Sequence, residues 1–96
     1  MPSYRVRMVP GAMRPGVDPA DVLPAAIDAG RELTAVETGH VEIVRGNPIV
    51  TVRFEAPDDV VALSVGRSVV VRVERLVEVE AHRVTRRYGA RWYPVR

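Results

Sequence analysis

His40 and His82 are the only histidines in this 96-residue chain, and each has a carboxylate two residues away, Glu42 and Glu80. Neighbouring strands that brought the two rings together would give a general acid–base pair, with a glutamate orienting an imidazole. That chemistry also needs a cleft and a shifted pKa. The spacing supplies neither, so the expectation is two surface histidines. Two histidines among scattered carboxylates have no metal-ligand spacing, so no metal site is expected. Ser64 and Ser68 lie four apart with no histidine at helical spacing, which is no nucleophile arrangement. The stretch from Pro10-Gly11 to Pro15-Gly16 lacks the glycine spacing and the Lys-Ser/Thr ending of a phosphate loop. Without cysteine there is no thiolate chemistry and no disulfide framework. No cofactor is expected, and nothing in the sequence argues for an enzyme.

Charge placement carries more information. All fourteen basic residues are arginine. With twenty valines against three isoleucines, the simplest cause is a GC-rich bacterial genome, so the missing lysine is not evidence that a planar guanidinium was selected at each position. Residues 1–14 hold Arg5, Arg7 and Arg14 and no acid, and residues 83–96 hold Arg83, Arg86, Arg87, Arg91 and Arg96 and no acid. The segment between them carries six arginines and all twelve acids. Ends that meet in space would form one basic patch. Tyr88, Trp92 and Tyr93 sit among the C-terminal arginines. Aromatics interleaved with arginine stack nucleobases and are enriched in protein interfaces, although a core with a single Phe could also use Trp92 and a tyrosine to close an open end. The candidate anion- or partner-binding residues are therefore Arg5, Arg7, Arg83, Arg86, Arg87, Arg91 and Trp92.

Those residues must be held by short elements. Tyr4–Val9 alternates as a half-buried strand, and Pro10-Gly11 reads as its stop, with a loop over 10–17. Asp18-Pro19 opens a helix by capping chemistry. Pro24 lies far enough in that the helix is kinked, or begins there after a separate turn, and Gly30 ends it. Thr34–Arg45 and Ile49–Glu55 read as strands joined by Gly46-Asn47-Pro48 into a hairpin, with Gly39 marking a bulge. Ala56-Pro57-Asp58-Asp59 opens a second helix, whose apolar positions from Ala62 to Val77 recur at three and four. Glu78–Arg87 returns to alternation, and Gly89 turns the chain into a short edge strand over 91–95.

The order is βαββαβ. It implies an α+β, ferredoxin-like sandwich: one domain over 1–96, an antiparallel sheet with both helices on one face, and a C-terminal β-hairpin extension. In that arrangement the first strand lies between the third and fourth. Val6, Met8, Val41, Ile43, Val50, Val52, Phe54 and Val84 then face the helices. Arg5, Arg7, His40, Glu42, Thr51, Arg53, Glu55, Arg83, Thr85 and Arg87 face away. Arg5 and Arg7 would stand beside Arg83 and Arg87, a repulsion to be relieved by Glu55, Glu80 or an outside anion. RNA-recognition domains share the strand and helix order, but their central strands carry base-stacking aromatics, and none falls on these central strands.

The leading expectation is a non-enzymatic module that self-associates, or binds a protein partner, through its sheet face or C-terminal edge. A nucleic-acid- or polyanion-binding protein using the basic ends is second. A small dimeric enzyme, with an apolar pocket and a histidine base, is third. A start without a long apolar core and the lack of any membrane-length apolar run make a cytoplasmic location the expectation, with no membrane partner.

Overall fold

Alternation along the first strand is carried into burial. Tyr4, Val6 and Met8 are fully buried, while Arg5 and Arg7 between them, and Val9 after them, are half-buried on the opposite side. The computed structural model describes residues 1–96. It contains β1 (Ser3–Met13), a 3-10 turn (Pro19–Asp21), α1 (Val22–Arg31), β2 (Val36–Val44), β3 (Asn47–Glu55), α2 (Asp59–Glu74), β4 (Val77–Tyr88) and β5 (Arg91–Pro94). The fold is α+β. Its five strands form one antiparallel sheet in the order β2-β3-β1-β4-β5, with two helices. β1 lies between β3 and β4, placing Arg5 opposite Arg53 and Thr85, and Arg7 opposite Thr51 and Arg83. The two basic ends of the chain are thus adjacent strands.

A cluster of 17 buried apolar residues joins the helices to one side of the sheet, with Val69, Val70 and Val73 of α2 and Ala26 of α1 packed over Val6, Val52 and Phe54. Gly66 lets α2 sit directly on the sheet: a Cβ there would come 2.6 Å from Val84 Cγ2. Asp58 caps α2, its Oδ1 accepting from Val61 N at 2.9 Å.

Several expected boundaries move. Pro10-Gly11 does not stop β1. The strand runs on to Met13 because register shifts after Val9 and after Pro10 take up the proline, which sits at an irregularity of the β1–β4 ladder. Pro24 does not kink α1. Asp18 caps the separate 3-10 turn, and Pro24 falls in the first turn of a helix that starts at Val22, where no backbone donor is needed. Gly30 lies inside α1, where a Cβ would meet Val36 Cγ2 at 2.9 Å. Asn47 and Pro48 belong to β3. The hairpin turn is Arg45-Gly46, with φ of 52° and 80°, closed by the Val44–Asn47 pair. The β2 irregularity falls between Val36 and Thr38, not at Gly39, and α2 ends at Glu74, so Val77 starts β4. Val41 and Ile43 are 48% and 68% exposed, because the β2–β3 hairpin reaches beyond the helices that would cover them.

Candidate functional site

The side of the sheet away from the helices is built by the odd positions of β1 up to Val9, of β3, and of β4 from Ala81, by Glu37 and the even positions of β2 from His40, and by Trp92 of β5; beyond the ladder irregularities Met13, Val36, Val77 and Val79 pack against the core instead. At the centre of this side the Trp92 indole, half-buried, lies against two guanidinium groups. Arg5 Cζ is 4.5 Å and Arg53 Cζ 5.2 Å from the ring centroid, within the range of cation–π attraction. Arg5 also donates from Nε to Thr85 Oγ1 at 3.3 Å. Thr85 and Thr51 are buried although they lie on the helix-free side. Trp92 therefore does not close the end of the core. It is laid over the sheet's other face and brings there the aromatic that the central strands lack.

Arg7 pairs with Glu42, and Arg53 Nε lies 2.5 Å from Glu37 Oε2. The charge relief comes from β2, then, rather than from Glu55 or Glu80. It is incomplete. Burial, followed by the charge of Arg7, lowers the pKa of the Arg5 guanidinium below its usual value; Glu42 opposes this and Arg53 adds to it. Arg7 Nε and Thr51 Oγ1 are buried without a hydrogen-bond partner, a costly state for polar atoms.

The other end of this face is apolar. Val9, Val44, Ile49 and Ala81, with Arg7, His82 and Arg83, line a shallow depression of about 360 Å³. This strip is absent from the candidate residues read from sequence. Its signal was available: Val9 shares the parity of Arg5 and Arg7, Val44 that of Glu42, and Ala81 that of Arg83.

Not all of the candidate arginines share the surface. Arg5, Arg7, Arg83, Arg87 and Trp92 do. Arg86 stands opposite Tyr4 in the β1–β4 ladder and points to the helix side. There its Nη1 donates to Asp59 Oδ1 at 3.1 Å and to Tyr4 Oη at 3.3 Å, and the Tyr4 hydroxyl donates to Asp59 Oδ1 at 2.7 Å. Burial first, then Asp59, pushes the Tyr4 phenol up to about 12. The Tyr4 hydroxyl and Arg86 hold the Asp59 carboxyl below its ordinary value. Arg86 is a structural tie between β4, β1 and the start of α2. Arg91 pairs with Tyr88 across the β4–β5 turn, away from Trp92, and Tyr88 and Tyr93 meet edge to face, both exposed.

Two further concavities lie on the helix side. One is an apolar groove of about 610 Å³ between the 3-10 turn, the start of α1 and the sheet, lined by Met13, Val22, Leu23, Pro24, Val41 and Val50 among others. No titratable side chain lines it, so neither histidine stands beside an apolar pocket of that kind. The other, about 320 Å³, lies between α2, β4 and the C-terminal residues and includes His82. His40 lines none of the three.

No helix is long and apolar enough to cross a membrane. No family model matches the chain, and no curated protein matches it. A solved structure of Rv0793 from Mycobacterium tuberculosis is similar over 86% of this chain and 90% of that chain, at 18% sequence identity and a TM-score of 0.42.

Proposed function

We propose that this domain is a ferredoxin-like interaction module that self-associates through the helix-free face of its sheet, a second copy of the chain being the occupant. The observation that carries the reading is the composition of that face: an apolar strip of Val9, Val44, Ile49 and Ala81 beside Trp92 held between Arg5 and Arg53. Tryptophan and arginine are the residue types that dominate interface energetics.

Size and charge favour a second copy over an unrelated partner. Five strands at ~4.8 Å spacing, taken over a length of roughly 30 Å, offer about 700 Å², close to the ~800 Å² per partner of a standard interface. The molecule measures 39 × 30 × 21 Å, which accommodates that patch. The face is self-complementary about a two-fold axis parallel to the strands. Such an axis lays β2 of one copy, with Glu37 and Glu42, over β4 and β5 of the other, with Arg83 and Arg87. An isologous contact of this kind closes as a dimer.

Trp92 is the only tryptophan, so its fluorescence reports on this face alone. The reading expects wild-type emission to be shielded from acrylamide at high protein concentration and exposed on dilution. Ile49→Asp should be exposed at every concentration. Equal quenching of both proteins throughout would reject the sheet face as the contact. Polyanion binding on the same arginines is the second reading, favoured by the like charges crowded around Arg5. It expects steep loss of binding as salt rises, and no binding of oligonucleotide at low salt would remove it.

A further inference from the structure

The groove between α2, β4 and the C-terminal residues has a charge pattern unlike the rest of the helix side. Its rim is Arg67 of α2, His82 and Arg83 of β4, and Arg96, and its floor is Leu63, Val84 and Val95. No carboxylate side chain lines it. Five arginines of the chain, Arg7, Arg14, Arg53, Arg72 and Arg86, are held in ion pairs, and none of the three on this rim is among them. The cluster is assembled from three parts of the sequence. Arg67 sits one turn after Leu63, so both project from the same side of α2. His82 and Arg83 lie where β4 has run past the end of β5, which pairs only with Thr85–Tyr88. The C-terminal segment is held against β4 by the hydrogen bond from Val95 N to Val84 O at 3.0 Å, which brings Arg96 to the rim.

We infer that this groove binds a small organic anion, with a phosphate or carboxylate head on a short apolar body. The head would sit among the guanidinium groups of Arg67, Arg83 and Arg96, whose forked donors match the oxygens of either anion, with a ring N–H of His82 as a further donor. The apolar body would lie on Leu63, Val84 and Val95. A volume of about 320 Å³ is at the small end of ligand pockets, which span ~300–1,000 Å³, so the occupant is a compact molecule. Arg67 and Arg96 lie off the helix-free face, while His82 and Arg83 also line the depression at its apolar end, so Arg67 and Arg96 are the positions that separate this site from the self-association surface.

Titration calorimetry with phenyl phosphate, inorganic phosphate and benzyl alcohol at fixed ionic strength tests this. The wild type should bind one phenyl phosphate per chain, inorganic phosphate about tenfold more weakly, and benzyl alcohol not measurably. Arg67→Ser and Arg96→Ser should each weaken phenyl phosphate at least roughly tenfold. Both positions are exposed, so thermal melts should confirm an intact fold. Leu63→Ala should bring phenyl phosphate close to inorganic phosphate. Arg87→Ser, on the other face, should change nothing. Phenyl phosphate affinity unchanged in both Arg67→Ser and Arg96→Ser would overturn the inference. Loss of binding in Arg87→Ser alone would overturn it too, placing the anion on the sheet face.

Discussion

Replacing Tyr4 with Phe removes one hydroxyl and nothing else. The ring keeps its stack on Phe54, 6.0 Å between centroids, so no cavity opens. The hydroxyl donates to Asp59 Oδ1 at 2.7 Å and accepts from Arg86 at 3.3 Å. Hydrogen bonds to charged groups contribute about 1.5–3 kcal/mol, and Asp59 keeps Arg86 as a partner, so the loss should be about 2 kcal/mol near neutral pH. In a domain of this size that lowers Tm by roughly 10 °C. Titration adds a pH dependence. The phenol rises from 10.0 to about 12 in the fold, so folding favours its neutral form. That stabilisation is full below the unfolded pKa and fades as pH rises through the window from 10.0 to about 12. Burial is the largest cause of the rise and the hydrogen bond to Asp59 the second, so titration fixes the pH window and the direction of the loss rather than the worth of the hydrogen bond. Urea unfolding of both proteins at about pH 8 and about pH 11.5 separates the cases. The wild type should be more stable at the lower pH and the two should converge at the higher, since the other tyrosines are common to both. A difference that stays constant across the range, or stays below about 0.5 kcal/mol, would mean that the Tyr4–Asp59–Arg86 tie does not hold α2 to the sheet.

Val70→Asp should unfold the domain or cost more than about 3 kcal/mol, because it places an unpaired carboxylate in the core under α2; an unchanged thermal melt would refute the burial of that helix face. Gly66→Ala should destabilise by about 1–2 kcal/mol despite alanine's better helix propensity, because its methyl group meets Val84 at 2.6 Å; a gain in Tm would show that α2 can lift off the sheet freely. Asp58→Ala should cost about 1 kcal/mol through loss of the cap on Val61 N, read as a lower urea midpoint with an unchanged m-value. Because the Asp59 carboxyl titrates below its ordinary value in the fold, its contribution is present above the unfolded pKa and disappears as pH falls through the folded one; Asp59→Asn should flatten the acid limb of the stability curve.

Element order was legible because each signal is local. Alternation in β1, β3 and β4, the aspartates that cap the 3-10 turn and α2, and Gly89 at positive φ all act within a few residues. Strand neighbours followed from connection length and crossover geometry. What misled was punctuation read without tertiary context: Pro10-Gly11 looks like an end, but β4 supplies a partner on the far side of the irregularity, and Gly30 looks like a stop when its role is clearance for Val36. The candidate surface was legible in parity but not in reach. Arg5, Arg7, Arg83 and Arg87 fall on one face by alternation, whereas Trp92 arrives from the edge strand and stretches across to Arg5 and Arg53, a contact set by side-chain length. Arg86 differs from Arg87 by a single step along β4, and that step moves it from an open surface to a structural tie with Asp59. The basic groove has no local signature, since its arginines lie 16 and 13 residues apart in sequence and converge only through α2, β4 and the C-terminal segment.

The self-association account stands or falls on mass in solution. Size-exclusion chromatography with light scattering should give twice the 10.6 kDa protomer mass for the wild type, and the protomer mass for Ile49→Asp, with melts showing that the variant remains folded. A wild-type protein that elutes at the protomer mass at the highest concentration reached, with the same profile as Ile49→Asp, would contradict the account.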